Sequence, residues 1–237
     1  MDDIDRASMP WLQAMSGYNR KSPLDVMEAP IELGGAGFVS LKNHAYCGYI
    51  MHLLKNWRTP KEEVGKILRI VYAWTVETVG VTYPLLEKPK RRLPHIRGKV
   101  IPALRDALSK IGAKITVDNN YIRPKLREND RALMDIALEM KFTDKQIQRI
   151  NAARESKGVF YLSEIAEADG IIIRKELCTD VEANYRVTRK RAKTGKPNTR
   201  SWNLFMRVIR SQCNEKYEML RPLGKWTDDH STSGIWK

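Results

Sequence analysis

Two pairs of adjacent aspartates have the residue type and spacing that metal-ion chemistry needs. Two or three such carboxylates can hold Mg²⁺ ions that align a primer end with an incoming nucleoside triphosphate. The usual arrangement places an aromatic residue two positions before the pair, at the tip of a hairpin. Met1-Asp2-Asp3 lacks both the aromatic and any strand ahead of it. Trp226-Thr227-Asp228-Asp229 has the right order of residue types, but it lies in a polar, Ser/Thr-rich tail with no apolar strands around it. Chance explains that order better than catalysis does. His44, Cys47 and His52 carry ligand-type side chains, yet their spacing does not bring all three to one helix face. Ordinary, partly buried helix residues fit them better than a zinc site. Cys178 and Cys213 have no neighbouring histidine to activate a thiolate. The chain is therefore expected to be no enzyme, with no catalytic residue, metal site or cofactor.

The glycine-rich stretch Pro30-Ile-Glu-Leu-Gly-Gly-Ala-Gly-Phe-Val-Ser-Leu41 suggests phosphate binding at first reading. No Lys-Ser/Thr follows the last glycine, so it is not a P-loop, and Gly35-Ala-Gly37 lacks the third glycine of a dinucleotide fingerprint. Pro30 also argues against a central strand ahead of it. Gly34, Gly35 and Gly37 are instead structural: each marks backbone at positive φ or a close approach.

Charge is the stronger functional signal. The 237 residues carry a net charge of +14. Residues 1–40 hold three basic against six acidic side chains, which leaves +17 for residues 41–237. A basic body of that size attracts polyanions over roughly 8–10 Å in physiological salt. The densest run is Arg186, Arg189, Lys190, Arg191, Lys193, Lys196 and Arg200, with no acid among them. Arginine's planar fork suits phosphate, and Gly195 and Pro197 suggest a loop that orders on binding. A solvated loop or a nuclear import signal is the plainer reading of the same run. A second cluster, Lys88, Lys90, Arg91, Arg92 and Arg97, lies among Pro84, Pro89 and Pro94. Nucleic acid is the expected partner, RNA ahead of DNA. The basic runs lack the apolar face that an anionic membrane requires. The three cysteines are widely spaced, which suits reduced thiols in an intracellular protein of the nucleus, cytoplasm or an organelle.

The elements that must position these groups read as helices. His44 to Trp57 is helix-patterned. Thr59-Pro60-Lys-Glu62 has the form of a capping box, opening a helix with Val64, Ile67, Leu68, Val71, Trp74 and Thr75 as its stripe and Gly80 as its stop. Val100 to Ile111 makes another helix, stopped at Gly112. Residues 115–117 and 121–122 suggest a small hairpin around Asn119-Asn120. Asn129 is placed to cap a helix outlined by Ala132, Leu133, Ile136, Ala137 and Met140, Thr143-Asp-Lys-Gln146 opens another, and Ser163 caps a short one at Glu164–Ala168 that Gly170 ends. Ile171 to Ile173 is the one β-branched run. A last helix spans about Thr199 to Asn214, with Trp202, Phe205, Met206 and Ile209 on one face. Tyr46, Tyr49, Trp57, Tyr72 and Trp74 are expected mostly in the core, with one or two open to stacking on bases. The fold class expected is mainly α: a multi-helix basic domain with at most a small β-hairpin.

Residues 1–57, through Met9-Pro-Trp-Leu12, Ser22-Pro-Leu-Asp-Val-Met-Glu-Ala-Pro30 and the glycine turn, resemble the segment that follows the palm in reverse transcriptases of non-LTR retrotransposons. The run from Gln148 to Ile165, Asp169-Gly170 and Ser201-Trp-Asn-Leu-Phe205 are similar to blocks downstream of such polymerase cores. Tyr161-Leu162 directly before Ser163 shortens the family's spacing, and Glu164 stands where the family has aspartate. The resemblance implies a thumb-like helical segment at 1–82, a basic Pro-rich linker at 83–99, a second helical segment at 100–177, and a basic loop, helix and tail at 178–237. It implies a chain that begins after the palm, so the polymerase active site is not in it. It also implies that the helix after the glycine turn faces a primer–template duplex. Beside a complete nucleic-acid enzyme using the chain's dispersed acids, two functions remain open. One is a non-catalytic module holding RNA or primer–template. The other is a structural subunit of a ribonucleoprotein, in contact with other proteins of the particle.

Overall fold

Helical periodicity dominates the sequence, and eight α-helices form among the described residues: α1 Asp2–Met15, α2 Leu24–Glu28, α3 Leu41–Trp57, α4 Glu63–Val79, α5 Val100–Lys110, α6 Leu133–Glu139, α7 Asp144–Lys157 and α8 Thr199–Arg210. The computed structural model describes residues 2–19, 21–38, 40–117, 121–174 and 197–227. The fold is mainly α. Extended pairing is limited there to isolated antiparallel bridges, two of them at Ile172 and Ile173 of the β-branched run. The expected hairpin does not form in its described parts: 115–117 are irregular and Tyr121-Ile122 are turn and bend rather than strand, while Asn119-Asn120 lie outside the described residues. The chain divides into two units, Met1–Arg69 with Val100–Ile115, and Ile70–Lys99 with Thr116–Lys237.

In the first unit, α5 and α1 both pack on α3. Ser40 caps α3, its Oγ accepting from the N–H groups of Lys42 and Asn43 at 3.2 and 3.4 Å. The glycine turn folds back on α2: Ala36 N–H donates to Val26 O, Gly37 N–H to Ala29 O and Phe38 N–H to Met27 O. Positive φ falls on Gly34 (80°) and Gly37 (67°). Gly35 is needed for a different reason, since a Cβ there would lie 2.1 Å from the backbone oxygen of Ala29. The expected capping box at Thr59 does not form, and α4 starts at Glu63. Thr59 turns its hydroxyl back to the Lys55 and Asn56 carbonyls of α3. Gly65, with a virtual Cβ 2.4 Å from Thr59 O, lets α4 begin hard against that corner.

In the second unit, α7 packs on α8 and both touch α6. The capping box at Thr143 forms as expected: its Oγ1 accepts from Gln146 N–H, and Gln146 Oε1 accepts from Thr143 N–H at 2.9 Å. α8 is amphipathic and buries Trp202, Phe205, Met206 and Ile209 together, as its pattern predicts. It stops at Arg210, and residues 213–219 turn back to a bridge between Cys213 and Met219. Two expected caps are not caps. Asn129 sits at φ 62° in a turn, and α6 follows Ala132. Ser163 lies inside a 3-10 turn, Leu162–Glu164, and its amide donates to Asp130 at 3.1 Å. Asp130 does the local tying instead, accepting from the N–H groups of Arg131 and Ser163.

Candidate functional site

Of the residues expected to meet phosphate, Arg186, Arg189, Lys190, Arg191, Lys193 and Lys196 lie outside the described residues, as do Asp228 and Asp229. Arg200 is exposed in the first turn of α8. The stretch 83–99, expected as a linker, belongs to the second unit and buries Leu85, Leu86, Leu93 and His95. Its cations divide by role. Arg92 donates to Asp144 (Nε–Oδ1 2.8 Å) and to Phe142 O, and Arg97 donates to the buried Glu155 at 3.0 Å. Lys88, Lys90 and Arg91 are exposed, and Arg91 lies with its guanidinium carbon 4.2 Å from the Tyr83 ring centroid. Gln148 Nε2 donates to Pro94 O at 2.8 Å, which fastens the segment along α7. The prolines and these bonds make it a stiff frame.

Of the five aromatics expected mostly in the core, Tyr72 is buried against Tyr121, edge to face with centroids 5.3 Å apart. Tyr49 and Trp74 are about half exposed, at 52% and 50%. On α4 the buried line runs through Leu68, Tyr72, Val76 and Val79, so Val64, Ile67 and Trp74 of the expected stripe face solvent. His44, Cys47 and His52 are exposed on α3, and no metal-binding group of three such side chains occurs among the described residues.

The motif residues between Asn151 and Gly170 form a buried ionic network. Arg154 is its centre. Its Nε donates to Asn151 Oδ1 (2.9 Å), Nη1 to Val159 O (3.1 Å), and Nη2 to Thr78 O (2.7 Å) and Glu77 O (3.3 Å). The last two carbonyls end α4, where a cation also meets the negative pole of the helix dipole. Gly80, at φ 71°, gives the guanidinium room: a Cβ there would stand 2.7 Å from Arg154 Cζ. Burial lowers the Arg154 pKa to about 10 against the pull of Glu155, Glu77 and Glu164. Glu164 Oε2 accepts from the N–H groups of Phe160 and Tyr161, and its Oε1 meets Arg123 at 2.7 Å. Burial still pushes the Glu164 carboxyl up. A second seat of the same kind holds Arg127, which donates to Gly224 O and Ala168 O over Gly170 (φ 73°), with a virtual Cβ there 2.6 Å from Nη2. These residues build the scaffold.

His95 belongs to the same interior. Its Nε2 is 2.9 Å from Val79 O, and burial depresses its pKa to about 4, with Arg154 and Arg97 adding to the effect and Glu155 opposing it. The imidazole is thus neutral in the fold and protonates in the unfolded chain near pH 6.5. Stability from this group is complete above about pH 6.5 and is lost as pH falls towards 4, by about 3 kcal/mol in all. Burial raises Asp130, Asp135 and Glu164, which act in the opposite sense, favouring the fold as pH falls. Urea unfolding of the unaltered chain and of His95→Phe between pH 7 and 4.5 separates the two. The difference in slope belongs to His95, and equal slopes would refute it.

Sequence reasoning missed Lys141, Lys145, Arg207 and Arg210, all exposed. Arg207 stacks on Phe142, its guanidinium carbon 5.2 Å from the ring centroid. The signal was available: Arg200, Asn203, Arg207 and Arg210 repeat at i, i+3, i+7 and i+10, opposite the apolar face of the same helix. No described helix is long and apolar enough to cross a membrane. No family profile, curated protein or solved structure significantly matches this chain.

Proposed function

We propose that the chain is a non-catalytic nucleic-acid-binding helical module, of the kind its resemblance to reverse transcriptases implies, which holds RNA or a primer–template duplex through phosphate contacts. The observation that carries this reading is the charge. Residues 41–237 bear +17, and the cations concentrate in 186–200 and on the stiff frame of 83–97, where Lys88, Lys90 and Arg91 are exposed. Phosphate contacts displace counterions, so log affinity should fall linearly with log salt, by about 0.7 to 0.9 for each phosphate neutralised. Neutralising Arg189, Lys190, Arg191 and Lys193 together should weaken binding to labelled RNA and reduce that slope by roughly 2 to 3. Unrelated sequences should lose affinity alike, because backbone contacts carry no sequence information. An unaltered chain that shows no salt-dependent binding to RNA or primer–template would end the reading.

A second reading, a structural subunit of a ribonucleoprotein, is favoured by one feature of the first unit. Ile4, Trp11 and Met15 line one solvent face of α1, each more than half exposed. An apolar stripe of that kind suits a protein neighbour. Recovery of the native protein in a large particle would favour the subunit, and a polymerase core encoded in frame just upstream would favour the module.

A further inference from the structure

We infer that the solvent face of α8 and the cations gathered around Phe142 form one docking surface for the phosphodiester backbone of a nucleic-acid duplex, an inference that rests on the nucleic-acid reading above and assigns it a place. Because α8 buries Trp202, Phe205, Val208 and Ile209, helical geometry sends Arg200, Asn203, Arg207 and Arg210 outwards together. At 1.5 Å per residue the stripe is about 15 Å long. Its C-terminal end is fixed to the approach to α7 by two contacts: Arg207 over the Phe142 ring, and Ser211 Oγ on Met140 Sδ at 3.7 Å. From the other side Arg92 Nη2 donates to Phe142 O at 3.2 Å. Three separate segments thus bring Arg92, Lys141, Lys145, Arg207 and Arg210 to one surface. Each is exposed.

Chemistry selects the partner. Between the arginines of the stripe stands a polar amide, Asn203, and no apolar side chain that would enter a lipid interface. Arginine forks match phosphate oxygens in pairs. A stripe of about 15 Å exceeds the roughly 12 Å width of the major groove of B-form DNA, and the major groove of an RNA duplex is narrower still, so its two ends can meet phosphates of both strands at once. One acid sits inside the surface. Asp144 lies between Lys141 and Lys145 in sequence and holds Arg92 through two guanidinium nitrogens. Its carboxylate opposes an incoming phosphate and occupies a cation that would otherwise receive one.

That acid gives the test a sign. Fluorescence anisotropy of the full chain with short DNA and RNA duplexes, and with their single strands, is measured across a salt series. Arg200→Gln/Arg207→Gln/Arg210→Gln should weaken duplex binding at least tenfold and reduce the salt slope by about 2 to 3. Asp144→Asn should do the reverse, tightening binding two- to threefold and steepening the slope by about 0.7 to 0.9. Since Arg207 also stacks on Phe142, Arg200→Gln/Arg210→Gln leaves that contact in place and should show most of the loss. If the chain binds duplex but Asp144→Asn and the arginine variants change neither affinity nor slope, this surface is wrong and the nucleic-acid reading survives. If the unaltered chain binds no nucleic acid, the reading itself fails. Equal losses on single strands, or competition by polyglutamate as strong as by duplex, would overturn the duplex assignment.

Discussion

Arg154→Met should destabilise the second unit by about 3–5 kcal/mol, the largest effect expected of any single substitution in that unit. Methionine fills much of the volume, so the loss is one of bonds and charge. The guanidinium serves Asn151 Oδ1 and the carbonyls of Val159, Thr78 and Glu77 at once. Each buried acceptor left without a donor costs about 1–3 kcal/mol, and part is recovered by water entering the gap. The substitution also strips the interior of the charge that faces Glu155, Glu77 and Glu164. Arg154→Lys retains the charge but not the planar fork, and should recover less than half of the loss. A drop of that size lowers the melting temperature by about 10 °C in a chain of this length. Hydrogen exchange at the α7 amides locates it. If both variants melt within a degree or two of the parent, the network does not hold the second unit together.

That network also shows why sequence reading succeeded for elements and not for their corners. The apolar period of α8, the Thr143–Gln146 box and the glycine stops at 80 and 112 are local signals. Neighbours a few residues apart satisfy them, so they are legible without the fold. Thr59 shows the limit. The letters of a capping box were present, yet the hydroxyl found two carbonyls of the preceding helix, and α4 began later. Propensity lost to a tertiary contact that no local window contains. The cations behaved in the same way. Lys88, Arg92 and Arg97 look alike in the sequence, but one is exposed, one is held by Asp144 and one is drawn to a buried glutamate 58 positions away. Conversely, the arginine stripe of α8 was legible. Its charges are spread at the helical period, so they stand out on the helix surface and not as a dense run along the chain.

The glycine turn yields an ordering of effects that composition alone could not. Three glycines lie within four residues, and each is there for a measurable reason. Gly34 is at φ 80° with nothing within 4 Å of a Cβ, so Gly34→Ala should cost only the left-handed strain, about 1 kcal/mol. Gly37, at φ 67°, adds a contact of 2.9 Å with Ile31 Cγ1, the movable part of an exposed side chain, and Gly37→Ala should cost slightly more. Gly35 carries no positive φ, and a φ-based argument would rank it the mildest of the three. The distances reverse that ranking. Its Cβ would lie 2.1 Å from Ala29 O and 2.4 Å from Ala29 C, backbone atoms that cannot rotate away. Ala29 O also accepts the Gly37 amide, so moving it breaks the bond that closes the turn. Gly35→Ala should therefore cost several kcal/mol, of the order expected for severe overpacking. The turn would open before the rest of the unit, and hydrogen exchange would quicken first at Ala36, Gly37 and Phe38, whose amides point back to α2 and Ala29. Three single variants, melted side by side, decide the matter. Gly35→Ala as mild as Gly34→Ala would mean that the close approach at Ala29 is not part of the fold.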